Sequence, residues 1–167
     1  MGQRIEGALV VAGRLTPSSL DVPDATIDNA AVKSSAGIAA SKLEHQHVFT
    51  FTPGVSTLTA AAGAYVLHTC YGTTGQVLAF KAGLVTPCTG DATVTLDLYK
   101  NGATMLSSTF DLDSADAALA LVAGTIDPAK EDLAADDVLT AVVTVNAGTG
   151  SLGAGLFFQL VATEDAA

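Results

Sequence analysis

Between Thr93 and Lys100 the chain alternates, with Val94, Leu96 and Leu98 on one parity and Thr95, Asp97 and Tyr99 on the other. Successive side chains of a strand point to opposite faces, so a period of two predicts a half-buried strand. Asn101-Gly102 follows at once. Both residues tolerate the positive φ of a two-residue type I′ hairpin, so the returning strand is expected over Ala103–Leu112, with Met105 opposite Leu98. Leu106, Phe110 and Leu112 then face away from Met105, which predicts a bulge or a change of sheet near Ser107-Ser108. A hairpin of this kind at the centre of the chain commits it to antiparallel β-structure.

The flanking sequence repeats the pattern. Ala64–Tyr71 is a β-rich run ended by Gly72-Thr73-Thr74-Gly75, and Gln76–Thr86 places Leu78, Phe80, Ala82 and Leu84 on one face. Leu119–Ile126, Val138–Val145 and Leu156–Thr163 read as further strands, with a helix as the alternative over Asp113–Leu121 and a loop or single helical turn over Pro128–Asp137. Counting Val48–Thr52, about eight short strands follow one another with no room for crossover helices. An all-β fold is expected for residues 48–167, an antiparallel β-sandwich of jelly-roll type. Several strands, Val138–Val145 among them, are apolar on both faces. One face serves the core; the other calls for a partner, and homo-oligomerisation supplies one economically.

Residues 1–47 behave differently. Arg4–Ala12 reads as one strand, and Thr16-Pro17-Ser18-Ser19 and Asp21-Val22-Pro23-Asp24 are breakers. Ile27, Val32, Ile38 and Leu43 then recur at intervals of five, six and five, which fits neither a strand nor a helix. Isolated apolar anchors in a Ser/Ala-rich string predict an extended N-terminal arm laid along another surface, each anchor in its own pocket. A linker, or a short helix over Ala30–Leu43, is the alternative. Charge divides at the same place: residues 1–47 hold five acids and four bases, residues 48–167 twelve and three.

With 49% hydrophobic residues, 14% charged and a mean hydropathy of +0.45, most of the chain is too aliphatic for intrinsic disorder. Seven Lys and Arg against 17 Asp and Glu exclude a nucleic-acid surface, which needs clustered cations. Val48–Phe80 and Thr140–Thr163 carry no charge, but dispersed Thr, Ser, Gly, Asn and Gln leave no apolar run of membrane-spanning length. Met1–Gly13 is a poor signal peptide, and Glu6 stands where a myristoylation signal wants Ser or Thr. A soluble protein made in a cytoplasm is expected.

Chemical motifs fail one by one. Gly148-Thr149-Gly150-Ser151-Leu152-Gly153 spells GxGxxG, but a strand follows it and too little chain remains for the ribose-binding acid. It reads as a turn between strands, and no cofactor is implied. Asp111, Asp113 and Asp116 lack the Gly and Glu of a calcium loop. No GxSxG occurs, and Glu131-Asp132 falls in a surface loop, so nothing argues for an enzyme. Cys70 and Cys88 read as two buried reduced thiols, with one bridge between neighbouring strands as the alternative. In Glu44-His45-Gln46-His47 the two imidazoles share a strand face, yet two ligands are too few for a closed zinc site, and His68, the only other histidine, has no cysteine or acid reliably adjacent. Hydrogen bonding at a subunit or arm contact is the expected role of His45 and His47.

The tract Ala25–Leu43 resembles a segment of structural proteins of tailed bacteriophages, through Ile27, Asn29, Ala30, Val32, Ala36, Ile38, Ala39, Ser41, Lys42 and Leu43. Glu44-His45-Gln46-His47 adds to the likeness, which covers about 20 of 167 residues. The resemblance, strongest to head-decoration (cement) proteins, implies a trimeric β-sandwich on the capsid exterior, made in the bacterial host. Its arm would engage the major capsid protein or a neighbouring subunit through Ile27, Val32, Ile38 and Leu43. A fibre-tip module reading host glycans is the alternative.

Overall fold

The computed structural model describes residues 44–72 and 74–165. Ten strands follow in order: β1 (Glu44–Phe51), β2 (Gly63–Thr69), β3 (Thr74–Thr86), β4 (Thr93–Lys100), β5 (Ala103–Thr104), β6 (Phe110–Leu112), β7 (Val122–Gly124), β8 (Asp132–Ala134), β9 (Val138–Asn146) and β10 (Ala154–Asp165). One sheet has the order β1-β10-β3-β7, with β8 also on β3; the other has the order β2-β9-β4-β5, with β6 also on β4. All these pairings are antiparallel. The chain crosses between sheets at each of its first three connections and again before β7, β9 and β10. That is the jelly-roll path expected from the strand pattern. Among the described residues there is no helix long and apolar enough to cross a membrane.

The central hairpin has the expected geometry. Asn101 and Gly102 take φ of 51° and 85°, both left-handed. Tyr99 pairs with Thr104 and Lys100 with Ala103, and the Met105 N–H donates to the Leu98 carbonyl at 2.7 Å. Met105 is buried, as its place opposite Leu98 requires. The ladder then breaks where the change of parity predicts. Leu106 leaves β4 to bridge Ile126, and pairing with β4 resumes at Phe110–Leu96.

The core is sealed by Phe80, Phe158 and Leu160 from one sheet and by Leu96, Leu98 and Leu139 from the other. Phe158 lies at its centre, with ring centroids 5.9 Å from Tyr65, 6.1 Å from Phe80 and 6.3 Å from Phe51. Phe51, Tyr65 and Phe80 come from three different strands, so aromatic contact joins both sheets at one point.

Four local readings are corrected. Leu78 does not share the core face of Phe80, Ala82 and Leu84: Val161 pairs with Ala79 but Ala162 with Val77, so Leu78 is the extra residue of a bulge. It is left exposed and Val77 takes the core position. The strand expected over Leu119–Ile126 shrinks to β7 because Leu119 adopts φ of 64°, which ends extended backbone. Asp113–Leu121 is not helical. The Asp113 and Asp116 carboxylates accept the Ala115 and Asp113 N–H groups, and such local acceptors compete with helix formation. Within the loop expected over Pro128–Asp137, Asp132–Ala134 is extended enough to pair with β3.

Candidate functional site

A second bulge creates the most concentrated chemistry. Along β2, Tyr65 pairs with Ala141 and Val66 with Thr140, but the next partner, Leu139, belongs to His68. Leu67 is therefore the extra residue, and the parity of the strand flips. His68 and Cys70 turn inward, where an unbroken alternation from Tyr65 would have sent them out. Opposite them, β10 keeps its parity through Leu160 and Ala162 to Glu164, whose carboxylate enters the same end of the sandwich.

There His68 Nε2 is in hydrogen-bond contact with Glu164 Oε1. The N–H groups of Tyr71 and Gly72 donate to Glu164 Oε2 at 3.4 and 3.3 Å. Cys70 is 2% exposed, and its backbone is pinned on both sides, its N–H donating to the Asp137 carbonyl and its carbonyl accepting from Asp136 N–H. The ligating atoms of His68, Cys70 and Glu164 all lie within 4.8 Å of one another. Burial raises the Glu164 carboxyl. The hydrogen bonds from His68 and Gly72, the His68 charge and the Tyr71 N–H together outweigh it and hold the group below the ordinary glutamate range. Burial pushes the Cys70 thiol up to about 12, helped by the Glu164 and Asp137 charges. A reactive cysteine has a lowered pKa, the opposite of what burial and the two carboxylates impose on Cys70.

Both cysteines are free thiols, so the bridged alternative is not the one adopted. His45 and His47 lie in β1, and their backbones pair with Glu164 and Ala162. Glu44–His47, read from sequence as the end of the arm, are thus the first half of a strand. The His47 ring stacks on Phe49 at 5.8 Å, and Phe49 on His68 at 4.3 Å. The side chain of His45, and Ile27, Val32, Ile38 and Leu43 entirely, lie outside the described residues. Sequence reasoning treated His68 as having no neighbour of ligand type. Cys70, two residues on in a strand, was the available signal; Glu164 is 96 residues away and sends none.

The outer faces of the two sheets differ. On β4 and β9 the outward positions are Thr95, Asp97, Tyr99, Thr140, Val142 and Thr144, a largely polar set. On the other sheet, Val48, Val161 and Ala79 form one cross-strand row, and Thr50, Gln159 and Lys81 the next. Val48 is 58% exposed. Beside these rows Phe157, Val85 and Leu119 line an open groove of about 330 Å³ together with Thr50, Thr52 and Gly155. Phe157 lies over Gly83, where a Cβ would come within 2.6 Å of its ring. Leu119, 65% exposed and left-handed, is an apolar side chain held in solvent by a costly backbone.

The remaining acids organise loops. Asp91 accepts the Thr149 N–H and hydroxyl at 2.7 and 3.0 Å, clamping the glycine-rich turn that resembled a nucleotide fingerprint. That turn joins β9 to β10, two strands, as expected. Asp137 accepts from Ala134 N–H and from Asn101 Nδ2.

No protein-family model matches the chain, and no curated protein sequence matches it. Among solved structures, it is similar to a chain described as Desmodium yellow mottle tymovirus, at 13% identity over 99% of this chain and 96% of that one, with a TM-score of 0.35. A likeness of that size neither defines the fold nor speaks to function.

Proposed function

We propose that the protein is a non-enzymatic structural component of a virus particle, a capsid decoration (cement) protein of a tailed bacteriophage. In this reading the sandwich, which begins with β1, is the knob, and the part of residues 1–47 that precedes it is the anchoring arm. The observation that supports it most is the spaced-anchor tract Ala25–Leu43, followed directly by a jelly-roll domain with one aliphatic, charge-poor outer face. Jelly rolls build viral capsid and lectin domains alike, so the fold admits the reading without selecting it.

The function would be mechanical. A pressurised shell is strained at junctions between capsomers, and a homotrimer bridging several copies of the major capsid protein adds interface there. The arm would contribute main-chain hydrogen bonds and pocketed side chains, the logic of strand addition. The face carrying Val48, Val161 and Phe157 would pack on the shell or on a neighbouring subunit. Replacing Ile27, Val32, Ile38 and Leu43 together by Ser tests this. The variant should fold normally by circular dichroism and fail to occupy phage particles, while normal occupancy would overturn the proposal.

A further inference from the structure

We propose that His68, Cys70 and Glu164 form a binding site for a zinc-type divalent metal ion, with Nε2, Sγ and a carboxylate oxygen as ligands. The three residue types are those that hold zinc, and a thiol with an imidazole excludes calcium and magnesium, which take oxygen ligands. Around one tetrahedral ion with bonds of about 2.0–2.3 Å, ligand atoms stand roughly 3.3–3.8 Å apart. All three atoms already lie within 4.8 Å of one another, and the direct His68–Glu164 contact opens to admit the ion.

The surroundings are those of a prepared site. The Tyr71 and Gly72 N–H groups hold Glu164 Oε2, which leaves Oε1 directed at His68. Such outer partners orient metal ligands. The backbone of Cys70 is fixed by Asp137 and Asp136. The bulge at Leu67 turns both β2 ligands toward β10, a re-aiming for which bulges are used. Metal binding displaces the Cys70 thiol proton to solvent, together with any proton on His68 Nε2, so that thiolate and imidazole lone pairs face the ion. The fourth position is left to water or to a group brought from outside. The ion would tie β2 of one sheet to β10 of the other at the end of the sandwich where β1 begins, since Glu44 pairs with Asp165 and His45 with Glu164.

The test is a titration of the chelator-treated full-length protein with Co(II), followed by displacement with Zn(II). One Co(II) per chain is expected, with a thiolate-to-cobalt charge-transfer band that Zn(II) abolishes. Excess Zn(II) should raise the unfolding midpoint of the wild type by about 5–10 °C, as binding to the native state alone requires. Cys70→Ser and Glu164→Gln should lose the band and the thermal shift. A folded wild type that gives no band and no shift would overturn the proposal without any variant. So would a band that persists in Cys70→Ser, which would place the metal elsewhere.

Discussion

Replacing His68 and Glu164 by Leu, singly and together, tests whether the two sheets are joined by a genuine polar contact. The side chains are 16% and 10% exposed, so both lie largely out of water. Leaving a buried polar group without its partner costs about 1–3 kcal/mol, and more where that group is a carboxylate, so the expectation here is about 2–4 kcal/mol. Glu164→Leu adds the loss of an acceptor for Gly72 N–H, which is buried, so it should be the costlier single change. The double variant replaces both groups by apolar ones and should be less destabilised than the two singles summed, with a coupling of about 2 kcal/mol. Urea unfolding followed by circular dichroism, with chelator present and an unchanged slope, reads these values. For a domain of this size each kcal/mol corresponds to about 4 °C of melting temperature, so thermal scans provide a second reading. Single effects that add to within about 0.5 kcal/mol would show that the contact carries no interaction energy.

Other expectations follow from single residues. Phe158→Ala removes the ring that Phe51, Tyr65 and Phe80 all approach, and should cost about 3–5 kcal/mol by urea unfolding; a loss below about 1 kcal/mol would contradict the central packing. Leu119→Asn keeps the left-handed backbone but relieves a side chain that tolerates it poorly, so stability should rise by up to about 1 kcal/mol. A clear loss of stability would mean that Leu119 is held by packing in the free protein. Hydrogen bonds from the Thr149 N–H and hydroxyl hold the Asp91 carboxyl below its ordinary value. Its contribution is therefore full above the unfolded value of about 3.9 and lost as pH falls through the lower folded value. Asp91→Asn should lower stability at neutral pH and flatten the acid limb of the stability curve, and an unchanged limb would refute the assignment.

The hairpin at Asn101-Gly102 and the two-sheet fold were legible because both rest on local rules: alternation, and positive φ at two adjacent positions. What escaped was parity. At Leu67 and Leu78 one extra residue reverses the facing of everything beyond it, and nothing in the local composition announces a bulge. The first reversal brings His68 and Cys70 inside, and the second puts Leu78 in solvent. Leu119 escaped for a related reason, since a left-handed Leu is set by tertiary context and not by propensity. The pairing of Glu164 with His68 belongs to the packing of two sheets, and a contact between residues so far apart leaves no trace in spacing.

The most direct test of the proposed role is a reconstruction of phage particles assembled in the presence of this protein. The account predicts three-fold-related density on the capsid exterior at junctions between capsomers, with a jelly-roll knob and an arm following the shell. Density confined to the tail tip, or particles that lack the protein altogether, would contradict it.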